Sequence, residues 1–272
     1  MPDTGGAKGE RELTGPVLLV EDDLVSQRIG TAMLESLGFQ VDVVADGARA
    51  VQAASRRAYR AILMDCQIPV LDGYQATGEI RRTEDGRRRI PIIAVTASGA
   101  PSDQQRGLAA GMDAFLTKPL RRTALAAVLT EWTSGHPVAA AIAEEDEPST
   151  TAGPVPSALD AVVVGRLRRL GEAVGEDLLG QLASLFVSAA DAHVVALRAA
   201  LAVHDPAAVA RSAHTLGGAA ASLGASALAR LCAALATAGA AGDLAGAGPR
   251  LGAVEVELVR VRSALAAPVM TA

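Results

Sequence analysis

Residues 17–23, Val-Leu-Leu-Val-Glu-Asp-Asp, and residues 61–66, Ala-Ile-Leu-Met-Asp-Cys, decide the fold. Each is a short apolar run that stops abruptly at carboxylates. A run this short with no polar alternation leaves neither face for water, so it belongs in a parallel sheet covered by helices on both sides. Three more runs, Gln40 to Val44, Ile92 to Val95 and Ala114 to Leu116, bring the strands to five between Val17 and Trp132. The stretches between them carry helical periodicity: Leu24 to Leu37 ended at Gly38, Gly47 to Arg57, Gly73 to Arg82, Asp103 to Ala110 ended at Gly111, and Arg121 to Trp132. Strict alternation of strand and helix predicts an α/β unit, a doubly wound five-stranded parallel sheet.

Beyond residue 133 the pattern changes. Residues 134–156 are rich in Ala, Pro, Ser and Thr and contain four successive acids, Glu144 to Glu147, which reads as a solvated linker. As a flexible chain it spans roughly 25 to 30 Å. Residues 157–267 then carry helical signals only, near Asp177 to Val203, Pro206 to Leu223, Ser226 to Ala238 and Leu244 to Ala266, so an all-α bundle is expected. In the first stretch Leu178, Leu182, Leu185, Ala189, His193, Leu197 and Leu201 recur as one buried stripe would. The division is therefore a disordered tail over 1–15, an α/β domain over 16–133, the linker, and the bundle.

Composition narrows the function. The chain has 272 residues, half of them hydrophobic (50%), enough for two cores. A formal charge of -5, with no basic block beyond Arg87 to Arg89, argues against direct nucleic-acid binding. No apolar stretch reaches the ~20 uncharged residues of a membrane span, and the N-terminus lacks the order of a secretory signal. A cytoplasmic protein without membrane insertion is expected. Cys66 and Cys232 lack metal-ligand spacing and read as buried apolar residues.

Glu21, Asp22 and Asp23 end the first strand and Asp65 ends the third, gathering acids at the sheet rim where ligands bind in open α/β folds. Clustered carboxylates repel unless a hard cation such as Mg²⁺ sits among them. The competing reading is that they cap the following helix, a job one of them can do. Thr96 ends the fourth strand and Lys118 follows the fifth. A hydroxyl, an ammonium and a divalent cation converging on one carboxylate suit a phosphate-like group. Of 25 basic residues only Lys8 and Lys118 are lysine, so this position selects a compact point charge.

These segments, LLVEDD at 18–23, LMDCQIPVLDG at 63–73, AVTA at 94–97 and FLTKP at 115–119, resemble the receiver domain of two-component signalling. The resemblance implies that Asp65 is the phosphoacceptor and that Glu21, Asp22, Asp65 and the backbone carbonyl of Gln67 hold Mg²⁺. It implies that Thr96 and Lys118 contact the phosphoryl oxygens, that Phe115 is a switch aromatic, and that the Lys118–Pro119 peptide is cis. Phe115 reads equally as core, and Asp72 with Gly73 as an ordinary turn and cap.

In the second domain Val209, Ala213, Leu216, Ala220 and Leu223 form a stripe that places His214 at its edge, reachable from solvent, beside Gly217 and Gly218. Close helix packing and room for a partner explain such glycines equally well. The segment AHTLGGAAASLGA at 213–225 is similar to the active helix of histidine phosphotransfer domains, four-helix bundles with a short leading helix. That likeness makes His214 the phosphorylated histidine and Gly218 the residue that leaves space for its ring, while Gly217 departs from the lysine usual there.

The chain as a whole resembles the C-terminal part of hybrid sensor kinases, and its opening on Met1 and a polar tail favours a free-standing protein. No kinase ATP-binding pattern is present. The expected function is a phosphorelay from a sensor histidine kinase to Asp65, on to His214 and then to or from another response regulator. The alternative is a phosphorylation-switched module whose bundle docks partners without carrying phosphate. A hydrolase would need an acid two residues after Asp65, where Gln67 stands. His136 and His204 carry no expected role, and His193 reads as a core histidine.

Overall fold

The computed structural model describes residues 15–84, 89–97, 100–133 and 157–266; nearly all of the expected tail, the linker, His136, Arg87 and Arg88 lie outside the described residues. The first domain runs β1 (Val17–Val20), α1 (Leu24–Ser36), β2 (Val41–Val44), α2 (Gly47–Arg56), β3 (Ala61–Asp65), α3 (Gly73–Thr83), β4 (Ile92–Thr96), α4 (Pro101–Ala110), β5 (Ala114–Thr117) and α5 (Arg122–Trp132). The sheet is parallel throughout in the order β2-β1-β3-β4-β5. β1, β3 and β4 are buried along their whole length, as their unbroken apolar runs require. The same expectation fails for β2, whose residues are half-buried and whose Val43 is exposed, because β2 is an edge strand.

The second domain comprises α6 (Ala161–Val174), α7 (Leu178–Ala202), α8 (Pro206–Ser222), α9 (Ser226–Ala240) and α10 (Leu244–Ala266). Seven helices begin at an aspartate whose carboxylate accepts a first-turn N–H: Asp23, Asp46, Asp72, Asp160, Asp177, Asp205 and Asp243. Each such cap stabilises by about 1 kcal/mol. The α8 stripe is buried as expected, at Val209, Ala213, Leu216, Ala220 and Leu223. The α7 stripe departs from expectation: Phe186 and Ala190 are buried in place of Leu185, Ala189 and His193. By length and composition α7 could span a membrane, against the sequence expectation. Its Asp191 and Arg198, however, pair with Arg262 and Glu255 of α10, and its apolar side faces α8 and α10, the bonding of a bundle helix.

The two domains pack together through α1, which meets α6, α7 and α8. One apolar cluster runs from β1, β3 and β4 through Val25, Ile29, Ala32 and Met33 of α1 into Leu167, Leu170, Leu178, Leu182 and Leu216. Burying a side chain such as Ile29 or Met33 contributes roughly 1.5–3 kcal/mol.

Candidate functional site

Strand register assembles the site. β1 and β3 pair Val20 with Met64, so Glu21, Asp22 and Asp65 follow side by side at one rim. β3 pairs Asp65 with Val95 and β4 pairs Thr96 with Thr117, which brings Thr96 and Lys118 to the same rim. Glu21 and Asp65 are 4% and 3% exposed, and Thr96 is buried beside them. The Lys118 ammonium lies 2.7 Å from Glu21 Oε2 and donates to Asp65 Oδ2 at 2.8 Å, while the Gln67 N–H donates to Asp65 Oδ1 at 2.9 Å. Lys118–Pro119 is cis, as expected.

Asp23 takes the capping role, accepting from the Ser26 N–H at 2.8 Å. That leaves Glu21, Asp22 and Asp65, whose carboxylate oxygens lie within 4.8 Å of one another. Burial pushes the Glu21 carboxyl up to about 8: Lys118 pulls it down, and Asp65 adds to the rise. Burial, and then the charge of Asp65, raises Asp22 to about 6. Burial works against the Lys118 charge, but Asp65 and Glu21 outweigh it and hold the ammonium well above its usual range. An all-oxygen, strongly acidic and partly buried set of this kind suits a hard divalent cation.

Behind Asp65, Asp72 and Gln75 form a capping box at the start of α3, and Gly73 crosses so close to β3 that a β-carbon there would lie 2.2 Å from the Asp65 carbonyl oxygen. Phe115 is half-buried, its ring against the α4 backbone, where a β-carbon on Gly107 would sit 2.5 Å from Phe115 Cε1.

On the helical domain, His214 is half-buried rather than freely reachable, on the helix α8 that meets α1 of the α/β domain. Burial lowers its pKa from 6.5, Asp65 raises it and Lys118 lowers it, so both groups of the first site act on the second. The two glycines divide the explanations between them. A β-carbon on Gly217 would meet Cys232 Cβ at 3.0 Å, so of the two readings left open Gly217 takes close packing of α8 on α9, whereas Gly218 opens onto free space. His193 is half-buried rather than part of the core, on the helix α7 that meets α1; burial lowers its pKa and the charge of Asp23 raises it. Cys66 and Cys232 are buried free thiols.

Sequence reasoning missed the contacts joining the domains. Arg28 of α1 donates from Nε to Gln181 Oε1 at 2.9 Å and from Nη2 to Glu176 Oε2. A cavity of about 310 Å³ beside Lys118 lies between the domains, bounded by Ile29, Met33, Arg121, Val163 and Arg166. No local pattern marks contacts between segments about 150 residues apart.

Residues 17–130 match the response regulator receiver domain, and residues 181–264 match the Hpt domain. The sensor protein GacS of Pseudomonas syringae pv. syringae is 34% identical over 205 residues, which cover 75% of this chain and 22% of that protein. Histidine kinase 1 of Arabidopsis thaliana is 36% identical over 161 residues, covering 46% of this chain and 13% of that one. The chain thus spans about a fifth or less of these curated relatives. Among solved structures, the receiver domain of sensor histidine kinase PA1611 from Pseudomonas aeruginosa PAO1, with a magnesium ion in its active-site cleft, is 52% identical. It covers 44% of this chain and 98% of its own, with a TM-score of 0.42. A co-crystal of the Saccharomyces cerevisiae histidine phosphotransfer protein Ypd1 with the receiver domain of Ssk1 matches at 32% identity, 43% of this chain, 88% of that one and a TM-score of 0.41.

Proposed function

The chain belongs to the two-component signalling proteins as a receiver domain followed by an Hpt domain, and from that premise we propose that it passes a phosphoryl group between Asp65 and His214 of the same molecule. The observation that carries this reading is the packing of α1 on α6, α7 and α8, which leaves His214 within the electrostatic reach of Asp65 and Lys118. A sensor histidine kinase is the donor to Asp65, and a separate response regulator exchanges phosphoryl groups with His214, in the cytoplasm.

The chemistry follows from the two sites. Asp65 holds the phosphoryl group as an acyl phosphate. An imidazole nitrogen of His214 attacks phosphorus, the bond to the Asp65 oxygen breaks, and the carboxylate departs with the electron pair. The nucleophile must be neutral, and burial favours its neutral form at ordinary pH. Lys118 stays protonated and neutralises the charge on the departing carboxylate and the phosphoryl oxygens, a role Thr96 shares. Mg²⁺, held by Glu21, Asp22, Asp65 and the Gln67 carbonyl, would supply further charge neutralisation when bound. Because the packing of α1 on α6, α7 and α8 already holds the two domains together, less orientational entropy opposes the step than for separate molecules.

The test is transfer of labelled phosphate from a small acyl phosphate or a cognate kinase. Wild type is expected to carry base-labile and acid-labile label, Asp65→Asn neither, and His214→Gln the base-labile form only. The rate of transfer should not change with chain concentration. Gly217, which places no cation beside His214, favours a second reading in which the bundle only docks partners; persistence of downstream signalling in His214→Gln would establish that reading and overturn the relay.

A further inference from the structure

The interface between the domains is mostly apolar, and apolar burial has no direction. Something else must set which helical surface this receiver accepts, and in what register. Arg28 is the α1 side chain equipped for that. It projects from the edge of the packed face, is 19% exposed, and donates to two acceptors on the helical domain, Gln181 Oε1 and Glu176 Oε2. Gln181 Nε2 in turn donates to Glu176 Oε2 at 2.9 Å, so the three side chains close a ring of hydrogen bonds.

The acceptor side is built before the receiver arrives. Gly175 ends α6 in the left-handed conformation, with φ at 74°, which reverses the chain. The Glu176 N–H then donates to the Gly171 carbonyl at 2.9 Å, and its own carbonyl accepts from the Leu178 N–H at 2.9 Å. A β-carbon on Gly171 would stand 2.7 Å from the Glu176 oxygen, so a glycine is needed for the turn to pass that close. Glu176 is thus fixed at the α6–α7 turn and Gln181 in the first turns of α7, presenting a carboxylate and a carboxamide to one guanidinium. A planar guanidinium reads two acceptors together, whereas a lysine would meet them as a point charge.

We propose that Arg28 with Glu176 and Gln181 is the specificity latch by which this receiver selects its own helical domain, the favoured partner being a phosphotransfer surface with an acidic residue at the α6–α7 turn and an amide one turn into α7. This rests on the relay reading above, since it names the partner of the same site. The latch lies away from Asp65 and takes no part in the chemical step. It acts by holding α1 in the register that keeps His214 at the phosphorylated rim.

The test uses the full chain with Asp65 loaded from acetyl phosphate, comparing wild type, Arg28→Glu, Glu176→Arg and the doubly reversed chain. Each single reversal puts like charges together and is expected to slow transfer to His214 by about tenfold, and the double reversal to recover most of that loss. Amide hydrogen exchange across residues 25–36 is read on the same four proteins without phosphate. Protection should fall in each single variant and return in the double. Wild-type transfer rates and protection in Glu176→Arg, or a double variant no better than the worse single, would overturn the latch. If wild type moves no label to His214 while the exchange pattern is as expected, the relay reading fails and the latch stands as a docking determinant.

Discussion

Three carboxylates crowd the receiver rim and one ammonium pairs with two of them, Glu21 and Asp65, so full ionisation of Glu21, Asp22 and Asp65 leaves a surplus of negative charge that a divalent cation or bound protons must balance. In the metal-free protein the balance falls to protons: Glu21 is raised from 4.5 to about 8 and Asp22 from 3.8 to about 6. Groups raised in the folded state contribute stability that is complete below their unfolded pKa values and is lost as pH rises through the folded ones. With a chelator present, the melting temperature is therefore expected to fall as pH rises from about 5 to about 9, at roughly 4 °C per kcal/mol for a domain of this size. Millimolar Mg²⁺ should abolish most of that slope, and Glu21→Gln should flatten it without metal. Equal slopes with and without Mg²⁺, unchanged in Glu21→Gln, would show that the acids do not share a cation. At this scale the sequence was most informative, because strand ends in a parallel sheet converge and Glu21, Asp22, Asp65, Thr96 and Lys118 all stood at strand ends. Their ion pairing was not legible, since it depends on which strands are neighbours.

At the scale of elements, glycines in helices separate packing from propensity. Gly78 lies in α3 where an added β-carbon would find nothing within 4 Å, whereas a β-carbon on Gly107 of α4 would press on Phe115 Cε1 at 2.5 Å, Cζ at 2.8 Å and Met112 Sδ at 3.1 Å. Gly78→Ala should gain about 0.8–1 kcal/mol from helix propensity. Gly107→Ala gains the same but incurs an overpacking cost of about 1–3 kcal/mol, so a net loss of about 1 kcal/mol is expected. Urea unfolding of the two variants checks the order, and a Gly107→Ala protein as stable as Gly78→Ala would mean that Phe115 is free to turn aside. The elements themselves were largely legible, because apolar runs and aspartate caps punctuate the chain clearly. What was misread has one cause, contact with neighbours the pattern does not identify. The sequence of β2 looks like that of a central strand, but its place at the sheet edge exposes Val43. α7 packs on α1 as well as on its bundle neighbours, so its buried line passes through Phe186 and Ala190 while His193 is only half-buried. Gly217 could not be assigned between packing and open surface because nothing local reveals Cys232 behind it.

At the scale of the molecule, the arrangement that favours transfer within the chain also hides both ends of the relay. His214 is half-buried, and the α1 face packs on α6, α7 and α8, so an outside protein reaches either site only when the domains part. Tethering makes a weak interface sufficient for closure, since a covalent link supplies an effective concentration of about millimolar. Part of that interface is the Arg28–Glu176 pair, which is solvent-accessible and therefore open to screening by salt. The balance between closed and open forms should then shift with ionic strength, and the histidines report it. At a pH near 8, where an imidazole of ordinary pKa ~6.5 is neutral, reaction with diethyl pyrocarbonate reads accessibility alone. His204, exposed at the end of α7, provides the reference within the same molecule. His214 is expected to react several-fold more slowly than His204 at low salt, and to approach it as salt rises toward about 1 M, where the screening length is about 3 Å. Glu176→Arg should bring the two rates together at low salt. Equal rates for His214 and His204 in the wild-type chain at low salt would mean that the domains are parted most of the time, and that transfer within the chain waits on each closing encounter.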